Sequence, residues 1–396
     1  MSVRPNARPV GQKPPFWRDR AKRALIFQLL LVAAVAAFLL YIVGNAQANL
    51  EARGITTGFG FLTNTAGFGI VQTLVDYSSQ STYGRTFLVG LLNTLLVGAL
   101  GVLAATIIGF TVGIARLSPN WLLARLANAY IETFRNIPLL LQIFFWYFAV
   151  LRTLPSARDS LAFGEVLFLN VRGLYLPQPL FESGFGIIPA AFIVAIVVSI
   201  ALMVWNKRRH EATGKRFPAG WIALALILGL PLLGLVATGV PVTWNVPELR
   251  GFNFRGGVTV IPEFLALWLA LSIYTASFIA EIVRSGIQAI PHGQTEAAQA
   301  LSLPQKLVLR LVIIPQALRV IIPPLTSQYL NLIKNSSLAT AIGYPDLVSV
   351  FAGTTLNQTG QAIEVIAMTM AVYLTISLLV SMFMNWFNAR VALVER

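Results

Sequence analysis

Apolar residues fall in long blocks along this chain, separated by short polar stretches. A helix needs about 20 mostly apolar residues to cross the hydrocarbon core of a bilayer. Eight blocks approach or exceed that length: 24–44, 87–114, 136–153, 187–205, 220–240, 263–283, 312–333 and 363–386. The alternating segments of roughly ten residues that build a membrane β-barrel are absent. The pattern predicts an all-α integral membrane protein with eight transmembrane helices.

Composition agrees. The 396 residues are 56% hydrophobic and 11% charged, with a mean hydropathy of +0.73, whereas soluble domains run near 45–50% and 25%, roughly. With no cysteine, disulfides, thiol chemistry and thiolate metal sites are excluded. The only histidines, His210 and His292, are too far apart in sequence to suggest a histidine metal cluster. No cofactor is implied.

A net charge of +14 raises the question of nucleic acid, and its distribution answers it. With the N-terminus inside, 20 of the 29 lysines and arginines fall on the cytoplasmic side and seven on the other, with Arg319 and Lys334 at or near the seventh span. Cytoplasmic enrichment of this kind sets orientation. It predicts N-in and C-in, with membrane lipid rather than nucleic acid as the partner. The opening "MSVRPNARPVGQKPPFWRDRAKR" followed by an apolar run, with Ala46-Gln47-Ala48 beyond it, imitates a signal peptide. The run is about 21 residues against the 7–15 of a signal core, so a retained anchor is expected.

Two polar stretches interrupt the pattern. Residues 293–303 read as a short cytoplasmic helix, with Gly293 near its N-cap, Glu296 in its first turn and Pro304 limiting continuation. Ala297, Ala298, Ala300 and Leu301 give it a smooth surface, suited either to a plain connector or to another protein's groove. In span seven, at about 100° per residue from Ser327, Gln328, Asn331, Lys334 and Asn335 lie at roughly 100°, 40°, 340° and 80°. Tyr329 lies opposite. Lipid would penalise that stripe, so it faces either a neighbouring helix or a water-filled cavity.

The stretch "GQTEAAQALSLPQKLVLRLVIIPQALR" (293–319) resembles the EAA loop of ABC-importer permeases. Glu296, Ala297 and Ala298 match, Ser302 stands where the pattern has glycine, and Val312, Ile314 and Pro315 close it. "YIETFRNIPLLLQIFFWYF" (130–148), "YTASFIAEIVRSGIQAIPHGQTEAAQAL" (274–301) and "NLIKNSSLATAIG" (331–343) are similar to signatures of polar amino-acid uptake permeases. Read without the resemblance, Pro138 simply opens span three, Glu281 and Arg284 form an interfacial ion pair, and "FFWYF" is span packing plus an interfacial belt.

The resemblance implies a type I ABC-importer permease fold in the bacterial inner membrane, of the larger kind found in general L-amino-acid or glutamate/glutamine/aspartate/asparagine uptake systems. It implies coupling to a separate cytoplasmic ATPase through Gly293, Gln294, Glu296, Ala297, Ala298, Ser302 and Pro315. It further implies a second, shorter permease subunit and a periplasmic amino-acid-binding protein, with no catalytic residue in this chain. Ser327, Gln328, Asn331, Lys334 and Asn335 become candidates for the substrate path.

The expected organisation follows. A basic cytoplasmic N-terminus (1–23) precedes the extra anchor (24–44) and a periplasmic segment (45–86). The first core part (87–153) is separated by an insertion with two helices and a basic cytoplasmic loop (154–262) from the second (263–386). The second part contains the coupling loop 285–311, and a cytoplasmic tail (387–396) ends the chain.

No G-x-x-x-x-G-K-[ST] phosphate loop occurs, so any ATP chemistry belongs to a partner. The rival reading, an ion-coupled secondary transporter, expects acids within its spans. Here only Glu263, Glu281 and Glu364 qualify, each near a span boundary.

Overall fold

The computed structural model describes residues 20–391 apart from 53, 55, 56, 215 and 216. Parts of the basic N-terminus and the tail, and Lys215 and Arg216 of the basic loop, lie outside the described residues. The helices are α1 (Arg20–Ala52), α2 (Tyr83–Arg116), α3 (Trp121–Asn136), α4 (Leu139–Phe144), α5 (Ile187–Thr213) and α6 (Ala219–Ala237). They continue with α7 (Pro262–Gln288), α8 (His292–Ala300), α9 (Gln305–Val308), α10 (Ile314–Asn335), α11 (Leu356–Thr359) and α12 (Ala362–Val391). Among the described residues seven helices are long and apolar enough to cross a membrane, and the α3–α4 pair makes eight if it is one broken span.

That pair departs from the sequence reading. Span three does not run straight from residue 136. The chain bends by 105° between α3 and α4, which continues in π-helical geometry over Phe145–Leu151. Pro138 has no N–H to extend α3, so carbonyls near the bend lose their helical donors. Buried Gln142 replaces them, its Nε2 donating to Phe134 O at 2.9 Å and to Ile137 O at 3.0 Å.

At the centre, α2 lies along α7, and small residues set how close they come. A methyl group on Gly109 would stand 2.6 Å from Ile279 Cβ, and one on Gly113 would stand 2.7 Å from Ala280 O. Without a hydrophobic drive between helices in lipid, such backbone-level packing supplies the attraction. Buried Leu267, Leu271, Ile279, Ile321, Ile322 and Leu332 join α7 and α10 to this core.

The insertion carries structure the apolar blocks did not reveal. Its two helices, α5 and α6, pack on each other. Around them run β1 (Leu161–Phe163), β2 (Leu167–Asn170), β3 (Gly173–Leu176), β4 (Gln178–Phe181), β5 (Val242–Asn245), β6 (Glu248–Arg250), β7 (Asn253–Arg255) and β8 (Val258–Val260). The sheet order is β1-β2-β3-β8, with β4 paired to β5 and β6 to β7, all antiparallel. Phe168, Tyr175 and Phe254 form its small core. Gly173, at φ 128°, lets β3 approach β8, since a Cβ there would sit 2.3 Å from Val260 O. Strand β8 runs straight into α7, and α8 follows the far end of α7. With 27 residues in α7, at 1.5 Å each, the strands and α8 are about 40 Å apart.

Candidate functional site

Helix α8 begins after Pro291 and ends at Ala300, one residue earlier and three residues earlier than the sequence suggested. Pro304 does not end it. Ser302 does, at φ 57°. Its N–H donates to Gln299 O at 2.8 Å, and the Leu303 N–H reaches back to Ala298 O at 3.3 Å. These two bonds make a Schellman turn, whose left-handed residue is usually glycine. Serine therefore keeps the backbone shape for which the family pattern uses glycine.

Buried Ala298 fixes α8 to the segment behind it, packing with Val308 and Ile313 beside Leu303. Gly293, Gln294, Glu296 and Ala297 are exposed. A Cβ at Gly293 would meet nothing within 4 Å, so that position is open surface. Glu296 Oε1 stands 2.9 Å from His292 Nδ1, from which it can accept, and Gln294 Oε1 accepts from Gln316 Nε2 at 3.4 Å. Pro315, half-buried, opens α10. The sequence reading treated Leu301 only as part of a smooth surface. The structure makes it the prominent feature, a leucine 76% exposed at the end of α8.

Behind α8 the family signatures converge. Glu281 of α7 accepts hydrogen bonds from Arg284 on its own helix and from Arg116 at the end of α2. Arg135, near the end of α3, stands 4.0 Å from the same carboxylate and 5.3 Å over the Phe278 ring. The expected Glu281–Arg284 pair is thus the middle of a cluster that ties three helix ends together. Arg116 and Arg284 hold this carboxylate by charge-assisted hydrogen bonds, and Arg135 adds a longer ion pair.

The stripe on α10 turns away from the chain's own bundle. Ser327, Asn331 and Lys334 are exposed, and Gln328 and Asn335 half-buried. On the opposite side Tyr329 packs against α2 with its hydroxyl 2.8 Å from Thr106 Oγ1.

One buried group was not read from the sequence. Asp346, in the turn between α10 and α11, is fully buried. Its Oδ1 accepts from the Ser349 N–H at 2.8 Å, and burial pushes its carboxyl up to about 7 against the pull of that bond. Neighbouring residues clamp this turn to α2. Asn93 Nδ2 donates to Pro345 O at 2.9 Å, and the Leu347 N–H donates to Thr94 Oγ1 at 3.0 Å.

Comparison with known proteins identifies the family. Residues 215–393 match the family described as "Binding-protein-dependent transport system inner membrane component". The chain is 60% identical to the "Putative amino-acid ABC transporter permease protein YhdX" of Escherichia coli, over 94% of this chain and 95% of that protein. It is 54% identical to the general L-amino acid transport system permease protein AapQ of Rhizobium johnstonii, over 96% and 94%. It is 42% identical to the glutamate/glutamine/aspartate/asparagine transport system permease protein BztB of Rhodobacter capsulatus, over 96% of both chains.

Proposed function

Because the chain belongs to the family of amino-acid ABC transporter permeases, multi-pass proteins of the bacterial inner membrane, we propose that it forms half of a pathway driven by a separate ATPase. An ATPase and a binding protein are partners of the family as a whole. We further infer that a second, shorter permease completes the pathway, that L-amino acids are the cargo, and that α8 is the coupling helix.

The observation that carries the coupling role is the build of α8. One small residue, Ala298, locks it to the bundle, while Ala297 and the protruding Leu301 are left for a partner. Helix-in-groove recognition relies on such apolar anchors. Closure of the ATPases would push α8, and the Ala298 contact would pass that movement to the start of α10. The stripe on α10 would then change its exposure to the two sides of the membrane. Relatives of this chain are ABC permeases, and none of them favours the ion-coupled alternative.

The test is Ala297→Asp, which places a charge on exposed surface and leaves the permease inserted. ATPase association should weaken, or hydrolysis should uncouple from uptake. Normal transport by a well-expressed variant would count decisively against the assignment. The path reading is checked separately, since Asn331→Leu should depress uptake with assembly intact.

A further inference from the structure

Far from α8, at the first turn of α7, a cavity of about 240 Å³ opens between three segments of chain. Its walls are the extended stretch Phe68–Val71, the turn holding Gly343 and Pro345, and the segment with Ser349 and Thr354. Among the described residues, Glu263 is the only charged side chain lining it. Its Oε1 accepts from the Tyr147 hydroxyl at 2.7 Å. Arg152 donates to that same hydroxyl at 3.1 Å and lies 5.1 Å over the ring. Arg152 thus positions the tyrosine, and the described residues give Glu263 no direct ion pair.

A half-buried carboxylate facing a cavity attracts a cation, and the hydroxyls of Ser349 and Thr354 add acceptors. The cavity is large enough for an amino acid. It is also at the end of α7 opposite the ATPase-facing helix, where cargo would arrive. We propose that Glu263 forms an outer ammonium site that receives the amino group of an incoming amino acid before the α10 stripe does. This rests on the amino-acid import reading. The carboxylate binds by charge-assisted hydrogen bonds, and no chemistry is performed on the ligand.

The permease–ATPase complex in nanodiscs, without binding protein, is titrated with L-glutamine and with N-acetyl-L-glutamine, which lacks the ammonium. Unmodified complex should bind L-glutamine saturably and the acetylated form at least tenfold more weakly. Glu263→Gln keeps an acceptor for Tyr147 and should lower L-glutamine affinity about ten- to a hundredfold, the effect of losing a charged partner. Asn331→Leu should leave this binding in place. Equal affinity of unmodified and Glu263→Gln complexes overturns the proposal, as does equal binding of the two ligands or none at all. Binding lost in Asn331→Leu but kept in Glu263→Gln also overturns it, while sustaining the path on α10. Uptake driven by the binding protein reports on the import reading independently of all these outcomes.

Discussion

Replacing Ser302 by glycine should stabilise the end of α8. At φ 57° the serine occupies left-handed space, which costs an L-residue roughly 1–2 kcal/mol through contact of Cβ with the following carbonyl. Glycine has no such contact, but its frayed state is more disordered by roughly 0.5–1 kcal/mol. The difference leaves a gain of about 0.5–1 kcal/mol. Within the described residues no hydrogen bond of the serine hydroxyl offsets it. At about fivefold per kcal/mol, the turn should open about two to five times less often. The amides that report are those of Ser302 and Leu303, whose acceptors are Gln299 O and Ala298 O. Hydrogen exchange of the permease in nanodiscs, without ATPase, should be slower at both positions in Ser302→Gly. In Ser302→Val, whose β-branched side chain tolerates this conformation worst, Leu303 should exchange faster than in the unmodified chain. Exchange that is the same in the glycine and valine variants would refute the reasoning.

The other expectations follow from packing, burial and orientation. Gly113→Ala forces a methyl to within 2.7 Å of Ala280 O, so the purified complex should lose roughly 1–3 kcal/mol of stability, read as a lower thermal midpoint. Gly44→Ala, with open space around it, should leave that midpoint unchanged. For Asp346 the folded carboxyl titrates near 7 and the unfolded one near 3.9, approximately. The folded state therefore holds the proton more tightly, and stability present at low pH is lost as pH rises through 7. The thermal midpoint of the unmodified protein should therefore fall as pH rises from about 4 to about 7, level off above that, and stay level throughout in Asp346→Asn; parallel curves would show that Asp346 does not titrate there. Reporter fusions at Ala46 and Gly184 should read periplasmic and one at Gly214 cytoplasmic, and a periplasmic signal at Gly214 would sink the eight-span arrangement.

The spans were legible because lipid leaves the chain little choice. A crossing segment must satisfy its backbone internally, so each crossing appears as one long apolar block. What happens inside or between blocks depends on contacts that the pattern does not encode. The bend before α4 needs both Pro138, which breaks the helix, and Gln142, which reaches back to the freed carbonyls. Read alone, the proline suggested only a helix start. The strands of the insertion are three or four residues long, too short for alternation to separate them from loop, and their pairing joins residues 174 and 260.

The candidate site divides in the same way. Ser302 was legible as a position because a glycine in a sequence pattern marks a backbone conformation, and the conformation persists when the residue changes. Arg116 was not. A basic residue at the end of an apolar block reads as a mark of orientation, and that reading is complete without any partner. Yet Arg116 bonds Glu281, 165 positions further along the chain, and Arg135 approaches the same carboxylate. These arginines therefore answer two demands at once, the cytoplasmic enrichment expected from the sequence and neutralisation of a carboxylate where α2, α3 and α7 converge. Their contribution to orientation depends on charge alone and would survive replacement by lysine. The shared carboxylate depends on guanidinium geometry, so the two roles separate only when the helices are seen together.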